Sequence, residues 1–234
     1  MVFVAGDSES IEDVRQRSYQ YFSVKDSVTL TIKTDNRNCE IKGYVEANEP
    51  NIFSQWEFTQ ISIICPDPYF YDYSASQQIS FVEVERLFHL PIYNDGLLTP
   101  TIKMGTIVHQ QSKAFVYNGD GRCGFFTQIT VRERPGGKIT VTNKTTSQKM
   151  IIDTSLIPDN HKTMKQIIIR LNTIPGDKYV RYSYGSDRDF LYGVASGSDW
   201  LEVVPGENTV EIDYDGDNDA IEAWMRTPVR YEGV

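Results

Sequence analysis

Hydrophobic and polar positions alternate with a period of two along most of this chain, and the departures from that period mark its joints. VTLTIKT at 28–34 sets Val28, Leu30 and Ile32 on one face, and CEIKGYVE at 39–46 does the same for Cys39, Ile41, Gly43 and Val45. Alternation of this kind belongs to a strand with one buried face. The DNRN run between the two supplies turn residues, so the pair predicts a hairpin. Only SIEDVRQRSYQYF at 10–22 carries clear helical spacing, with Ile11, Val14, Ser18 with Tyr21, and Phe22 toward one side, Ser10 as N-cap, and Glu12 and Asp13 in the first turn. Such a helix should dock on a sheet.

WEFTQISIIC at 56–65 reads as the last buried strand of this first part, with Ile61, Ile63 and Cys65 facing one way. The segment after it breaks the pattern. Pro66 and Pro68 lack backbone N–H groups and cannot continue a ladder. Asp67 between them can cap nearby donors, and Tyr69, Phe70 and Tyr71 can act as an apolar wedge. Residues 1–79 therefore read as an α+β unit that ends in a rigid inter-domain corner formed by Cys65, Pro66, Asp67, Pro68, Tyr69 and Phe70.

From Ser80 onward short β-branched and aromatic runs are separated by turn clusters. The runs are GFFTQITVRE, KITVTN, KQIIIRLN, KYVRYSY and NTVEIDY; the clusters are NDG at 94–96, NGDG at 118–121, RPGG at 134–137, IPGD at 174–177 and VPGEN at 204–208. Regular turns between short strands, without helical spacing, predict an antiparallel β-sandwich over residues 80–234. The expected fold class is thus mainly β, an α+β first unit followed by a sandwich.

Composition narrows the function. With 40% hydrophobic and 24% charged residues the chain is of ordinary globular make-up, and a net charge of −9 argues against a nucleic-acid surface, which needs clustered Lys and Arg. MVFVAGDSES has neither the basic leader nor the long apolar core of a secretory signal, and no run approaches a membrane span. The three scattered cysteines, Cys39, Cys65 and Cys123, suit reduced, buried thiols of a protein made in the cytoplasm.

Candidate chemistry is sparse. His89, His109 and His161 lack metal-ligand spacing and read as surface or hydrogen-bonded histidines. No nucleophile elbow, Walker loop or dinucleotide fingerprint occurs. YNGDGRCG lies between strands and reads as a hairpin turn. In DYDGDND the aspartates Asp213, Asp215, Asp217 and Asp219 alternate as at the start of a calcium loop, but Ala220 replaces the required glycine and Arg226 the closing glutamate. Asp215, Asp217 and Asp219 therefore read as a solvated acidic turn. Trp200, Trp224, Tyr182 and Tyr184 could offer aromatic faces to a sugar, although aromatics in short strands more often pack a core. No cofactor, no metal and no enzymatic activity are expected.

IEDVRQRSYQYF, LTIKTDNRNCEIKGYVEANEPNIFS, QISIICPDPYFYD and SDWLEVVPGENTVEIDYDG together resemble the distal tail proteins of siphophages that infect Gram-positive bacteria. The resemblance covers nearly the whole chain. It implies a first domain that assembles into a hexameric ring and a galectin-like β-sandwich that projects from it. It also implies a place at the virion tail tip, with the tail tube, the tail-tip hub and receptor-binding proteins as partners, and neither nucleic acid nor membrane among them. Family members usually carry several tens of residues ahead of the helix, so the resemblance makes this a shortened prophage remnant, a reading frame with a misplaced start, or a divergent member that assembles differently. A carbohydrate-binding sandwich that recognises host cell-wall glycans is the alternative expectation.

Overall fold

A computed structural model describes residues 2–4, 10–51, 58–85, 106–109, 111–161, 166–184, 186–191 and 194–233. His89 and the NDG turn at 94–96 lie outside them. The described structure is mainly antiparallel β, as the alternation predicts. The chain forms two units: residues 1–74 with 230–234, and residues 75–229.

In the first unit the elements are β1 (Val2–Val4), α1 (Ile11–Tyr21), β2 (Ser27–Lys33), β3 (Asn38–Asn51), β4 (Phe58–Ile64) and the start of β5 (Phe70–Ser80). Ser10 caps α1 by accepting from the backbone N–H of Glu12 through its side chain, and Glu12 and Asp13 occupy the positive end of the helix. Val14 and Ser18 form its buried side, whereas Tyr21 is 70% exposed. The helix is therefore narrower in its apolar face than the sequence spacing suggests. Ser18 hydrogen-bonds to Asn48 of β3, and Asn48 in turn donates to the carbonyl of Phe22 at the helix end.

β2 and β3 pair in the register Val28↔Gly43, Leu30↔Ile41 and Ile32↔Cys39, and the Thr34 N–H closes the turn on the Arg37 carbonyl. Cys39, Ile41, Gly43 and Val45 are all buried, as their shared phase requires. Gly43 is required by close approach. A Cβ there would lie 2.6 Å from Ile63 Cγ2, 2.7 Å from the Ile64 carbonyl and 2.9 Å from Cys65 Sγ. The same contacts place Ile63 and Cys65 on one side of the strand.

The second unit contains the end of β5, then β6 (Val82–Glu85), β7 (Thr106–His109), β8 (Ser112–Tyr117), β9 (Phe126–Val131), β10 (Lys138–Asn143), β11 (Gln148–Asp153), β12 (Ile167–Asn172), β13 (Tyr179–Tyr184), β14 (Ser186–Leu191), β15 (Gly206–Tyr214) and β16 (Ile221–Tyr231). One sheet runs β5-β16-β9-β12-β13-β14 and a second runs β11-β10-β15-β8, with β6 and β7 paired apart. On the first sheet Ala223, Ile129, Ile169 and Tyr182 form one cross-strand rank, and Met225, Thr127, Leu171 and Val180 the next. All eight are buried. On the second sheet Ile152, Ile139 and Tyr214 form a rank beside Met150, Val141 and Ile212, again all buried. These two inner faces make the sandwich core.

One expectation changes. YNGDGRCG is not a hairpin turn: β8 before it pairs with β15, and β9 after it pairs with β12 and β16, so the segment crosses from one sheet to the other. Cys123 forms a bridge with Val203, and Gly124 lies so close to the Thr173 carbonyl that a Cβ would come within 2.2 Å of its oxygen. β16, over which the sequence pattern makes no prediction, is an eleven-residue strand that contains Pro228.

Candidate functional site

The proline-flanked aspartate sits in an interruption of one ladder. Tyr44 of β3 pairs with Ser27 and Ile64, and Glu40 of β3 pairs with Thr31 and Tyr71. β2 thus holds one edge of β3, while β4 and β5 follow each other along the other edge. Between these anchors β3 advances from Tyr44 to Glu40, four positions, and the partner chain from Ile64 to Tyr71, seven. The three surplus residues fall within CPDPYF, which loops out before the strand resumes.

This geometry explains the two prolines. A chain that leaves the ladder has no use for their missing N–H groups, and their fixed φ holds the excursion open. Asp67 closes it. Its Oδ2 accepts from the Tyr71 hydroxyl and its Oδ1 accepts from Arg230 Nη2 at 2.7 Å. The Arg230 guanidinium lies 3.5 Å from the Tyr69 ring centroid and 5.8 Å from that of Tyr71. With only 13% of the Arg230 side chain exposed, the pair is shielded from solvent and the cation–π contact is correspondingly strong. A second clasp lies nearby in sequence. Arg37, in the β2–β3 turn, stacks on Tyr231 at 4.0 Å and donates to the Gly233 carbonyl at 2.9 Å. Residues 230–233 are thereby fastened to the first unit, and the whole CPDPYF segment lies inside that unit, which runs on to Ser74. Phe70 is half-buried and begins β5.

Behind the segment, Asp72 is buried and its carboxylate accepts from the backbone N–H groups of Ser74 and Asn38. Cys39 is fully buried; burial pushes its thiol pKa up, the charge of Asp72 adds to that, and Arg37 opposes it. A thiol so placed stays protonated and poorly nucleophilic.

The first unit also exposes an apolar strip. Tyr44 and Ile64 face each other across the β3–β4 ladder on the side opposite the core, and Val24 stands beside them; each is more than half exposed. Together with Lys25, Val45 and Glu46 they line a shallow groove of about 410 Å³. Sequence reasoning missed it. The signal was available, since Tyr44 is an aromatic in the polar phase of an otherwise regular alternation.

The aromatics considered for sugar binding do not form one platform. Tyr182 is buried on the inner face, with its hydroxyl 3.0 Å from His161 Nδ1, and burial beside Tyr184 pushes its phenol pKa up. Tyr184 stacks on the His161 ring at 3.9 Å. Trp224 stands on the outer face, tilted against Phe126 at 5.2 Å. Trp200 is exposed at a loop, with Lys178 Nζ 5.6 Å from its ring. His161 is thus a hydrogen-bonded core histidine.

In the acidic turn, Asp217 caps the short helical turn at 218–220 by accepting from the Asp219 N–H, and Asp215 accepts from the Lys138 N–H. Its carboxylates fix backbone rather than converge. Among the described residues no group of three or more His, Cys, Asp or Glu side chains is placed to hold a metal ion. No described helix is long and apolar enough to cross a membrane.

The fold of this chain is similar to that of a solved phage hub protein. The likeness is to the crystal structure of SPP1 Dit (gp 19.1), described as a paradigm of the hub adsorption apparatus in phages that infect Gram-positive bacteria. It extends over 97% of this chain and 75% of that one, at 12% identity and a TM-score of 0.52. Chains of the phage P2 baseplate in its activated conformation, with Ca and with Sr, align over 97% of this chain and 77% of theirs at TM-scores of 0.47 and 0.48 and identities of 12% and 13%. No protein-family model matches the sequence, and no curated protein does.

Proposed function

We propose that this chain is a structural component of a phage tail tip, a distal tail protein that joins the tail tube to the hub and adsorption apparatus by protein–protein contacts. The observation that carries the reading is the shared fold with the SPP1 Dit hub protein over 97% of the chain. The side chains support it. Asp67, Asp72, Asp215 and Asp217 are spent on holding backbone and neighbouring side chains, the arrangement of a scaffold. The first unit shows the Val24, Tyr44 and Ile64 strip, the kind of exposed apolar patch that assembly covers. On this reading the first unit makes ring contacts with further copies and with the tube, the sandwich faces the adsorption machinery, and the protein is made in the host cytoplasm and carried in the virion.

Light scattering and negative-stain microscopy of the purified chain test the self-contact. Multimers or rings are expected at micromolar concentration, with Tyr44→Ser and Ile64→Ser shifting the population toward monomer. A chain that stays strictly monomeric throughout that range has no such contact.

A further inference from the structure

Two adjacent ranks on the outer face of the first sandwich sheet concentrate arginine and aromatic side chains. Register places Trp224, Gln128, Arg170 and Arg181 in one rank across β16, β9, β12 and β13, and Arg226, Phe126, Asn172 and Tyr179 in the adjacent one. Those eight positions hold three arginines, three aromatics and no carboxylate, in a chain with 32 acidic against 23 basic residues; the nearest carboxylates are already engaged, Glu222 of the next rank with Arg132 and Asp177 with Asn172. The outer face of the second sheet is an internal control. There Asp213, Thr140 and Ile151 lie beside Glu211, Thr142 and Lys149, a mixture of signs and polar residues.

Arg170 stands directly opposite Arg181 in the ladder. Like charges so placed oppose pairing, and a solvated face would more simply alternate signs. Both side chains are held in place instead. Arg170 donates to the Ser183 hydroxyl at 3.2 Å, the Arg181 guanidinium lies 4.3 Å from the Tyr179 ring centroid, and Arg226 donates through Nε to Ser76. Arg181 and Arg226 are exposed, and Trp224, Phe126 and Tyr179 are half-exposed. All three cations are arginine and none is lysine. The planar guanidinium pairs two-pronged with carboxylate, and Arg with Trp and Tyr is the composition that dominates binding energy at protein interfaces, where Lys is depleted.

We propose that this face docks a carboxylate-rich surface of a partner protein, with Arg181 and Arg226 pairing to its carboxylates and Trp224, Phe126 and Tyr179 forming the dry contact between them. The tail-tip reading supplies only the neighbourhood in which that partner is found. The net negative charge of the chain confines attraction to this patch, so association falls as salt is added.

The test uses the full chain and immobilised polyglutamate, with polygalacturonate as a saccharide polyanion. Wild type should bind polyglutamate in low salt and release it as ionic strength rises. Arg181→Glu with Arg226→Glu should weaken binding about tenfold or more, and the neutral pair Arg181→Gln with Arg226→Gln should weaken it less in the same direction. Lys33→Glu with Lys42→Glu, an equal charge change at exposed positions of the first unit, should leave binding near wild type. The proposal is overturned by absence of polyglutamate binding, by equal loss from the lysine pair, or by preference for polygalacturonate, which would make the face a saccharide site. None of these results touches the tail-tip assignment, which is decided by where the protein sits in a virion.

Discussion

The two units solve the same problem with different means. In the sandwich, whole ranks of side chains reach zero or near-zero exposure, Phe125, Ile129, Ile139, Ile152, Ile167 and Leu171 among them. In the first unit Ile61 alone belongs with the largest fully buried side chains among the described residues, and Val28, Leu30 and Ile32 remain half-buried. What the first unit lacks in apolar burial it makes up with directed contacts, Asp67 with Arg230 and Arg37 with Tyr231, and both of these depend on residues at the far end of the chain. A thin core with exposed Tyr44 and Ile64 suits a unit completed by assembly, whereas the dense core suits one that holds its form alone.

The largest expected effect lies in the dense core. Leu171→Ala, fully buried between Thr127 and Val180 in its ladders, should cost about 4 kcal/mol in the sandwich transition in calorimetry and leave the first unit's transition unmoved. Equal shifts in both would show that the units do not differ in the way described.

Arg230→Ala strikes the other strategy. It removes the cation from a mostly buried pair and from the face of Tyr69, so the first unit should lose about 2 kcal/mol, with proteolysis appearing first at residues 65–70 and 230–233. Gly43→Ala should cost about 1 to 3 kcal/mol in the same unit through overpacking against Ile63 and the Ile64 carbonyl. Replacing Pro66 and Pro68 together by Ala should matter less, under about 1 kcal/mol, because both lie where no ladder bond is made.

Cys39 provides the pH test. Its thiol pKa is raised by folding, so its contribution is complete below the ordinary thiol value of about 8.5 and is lost as pH rises above it, because the unfolded chain then ionises first. First-unit stability should decline above that pH in wild type and decline less in Cys39→Ala. In the native protein a thiol reagent should modify the half-buried Cys65 well before Cys39 or Cys123. Modification of Cys39 as fast as Cys65 would mean that the first unit opens as a whole.

Period-two alternation made the β2–β3 hairpin, the strand at 58–64 and the sandwich strands β9, β10, β12, β13 and β15 legible, because a single buried face writes itself into sequence. β16 was hidden for a physical reason: its Pro228 and charged neighbours look unlike a strand, yet its residues supply inner ranks beside β9. The role of Asp67 was legible only in part. Its position between prolines announced an interruption, but its partner Arg230 lies 163 residues away, and no local pattern reports such a contact. The arginine face was equally invisible, since Arg170, Arg181 and Arg226 come from three strands that only register brings together. Whether Tyr182 packs the core or offers its face to a sugar stayed open in the sequence, which does not say which face of β13 is turned inward.

The proposed place of this chain is the end of a phage tail. Gold-labelled antibody against the sandwich, applied to tailed particles assembled with this chain and viewed in negative stain, measures it directly. Label is expected at the distal end of the tail and none along the tube or on the head. Label elsewhere, or its absence from complete particles that still adsorb to cells, would contradict it.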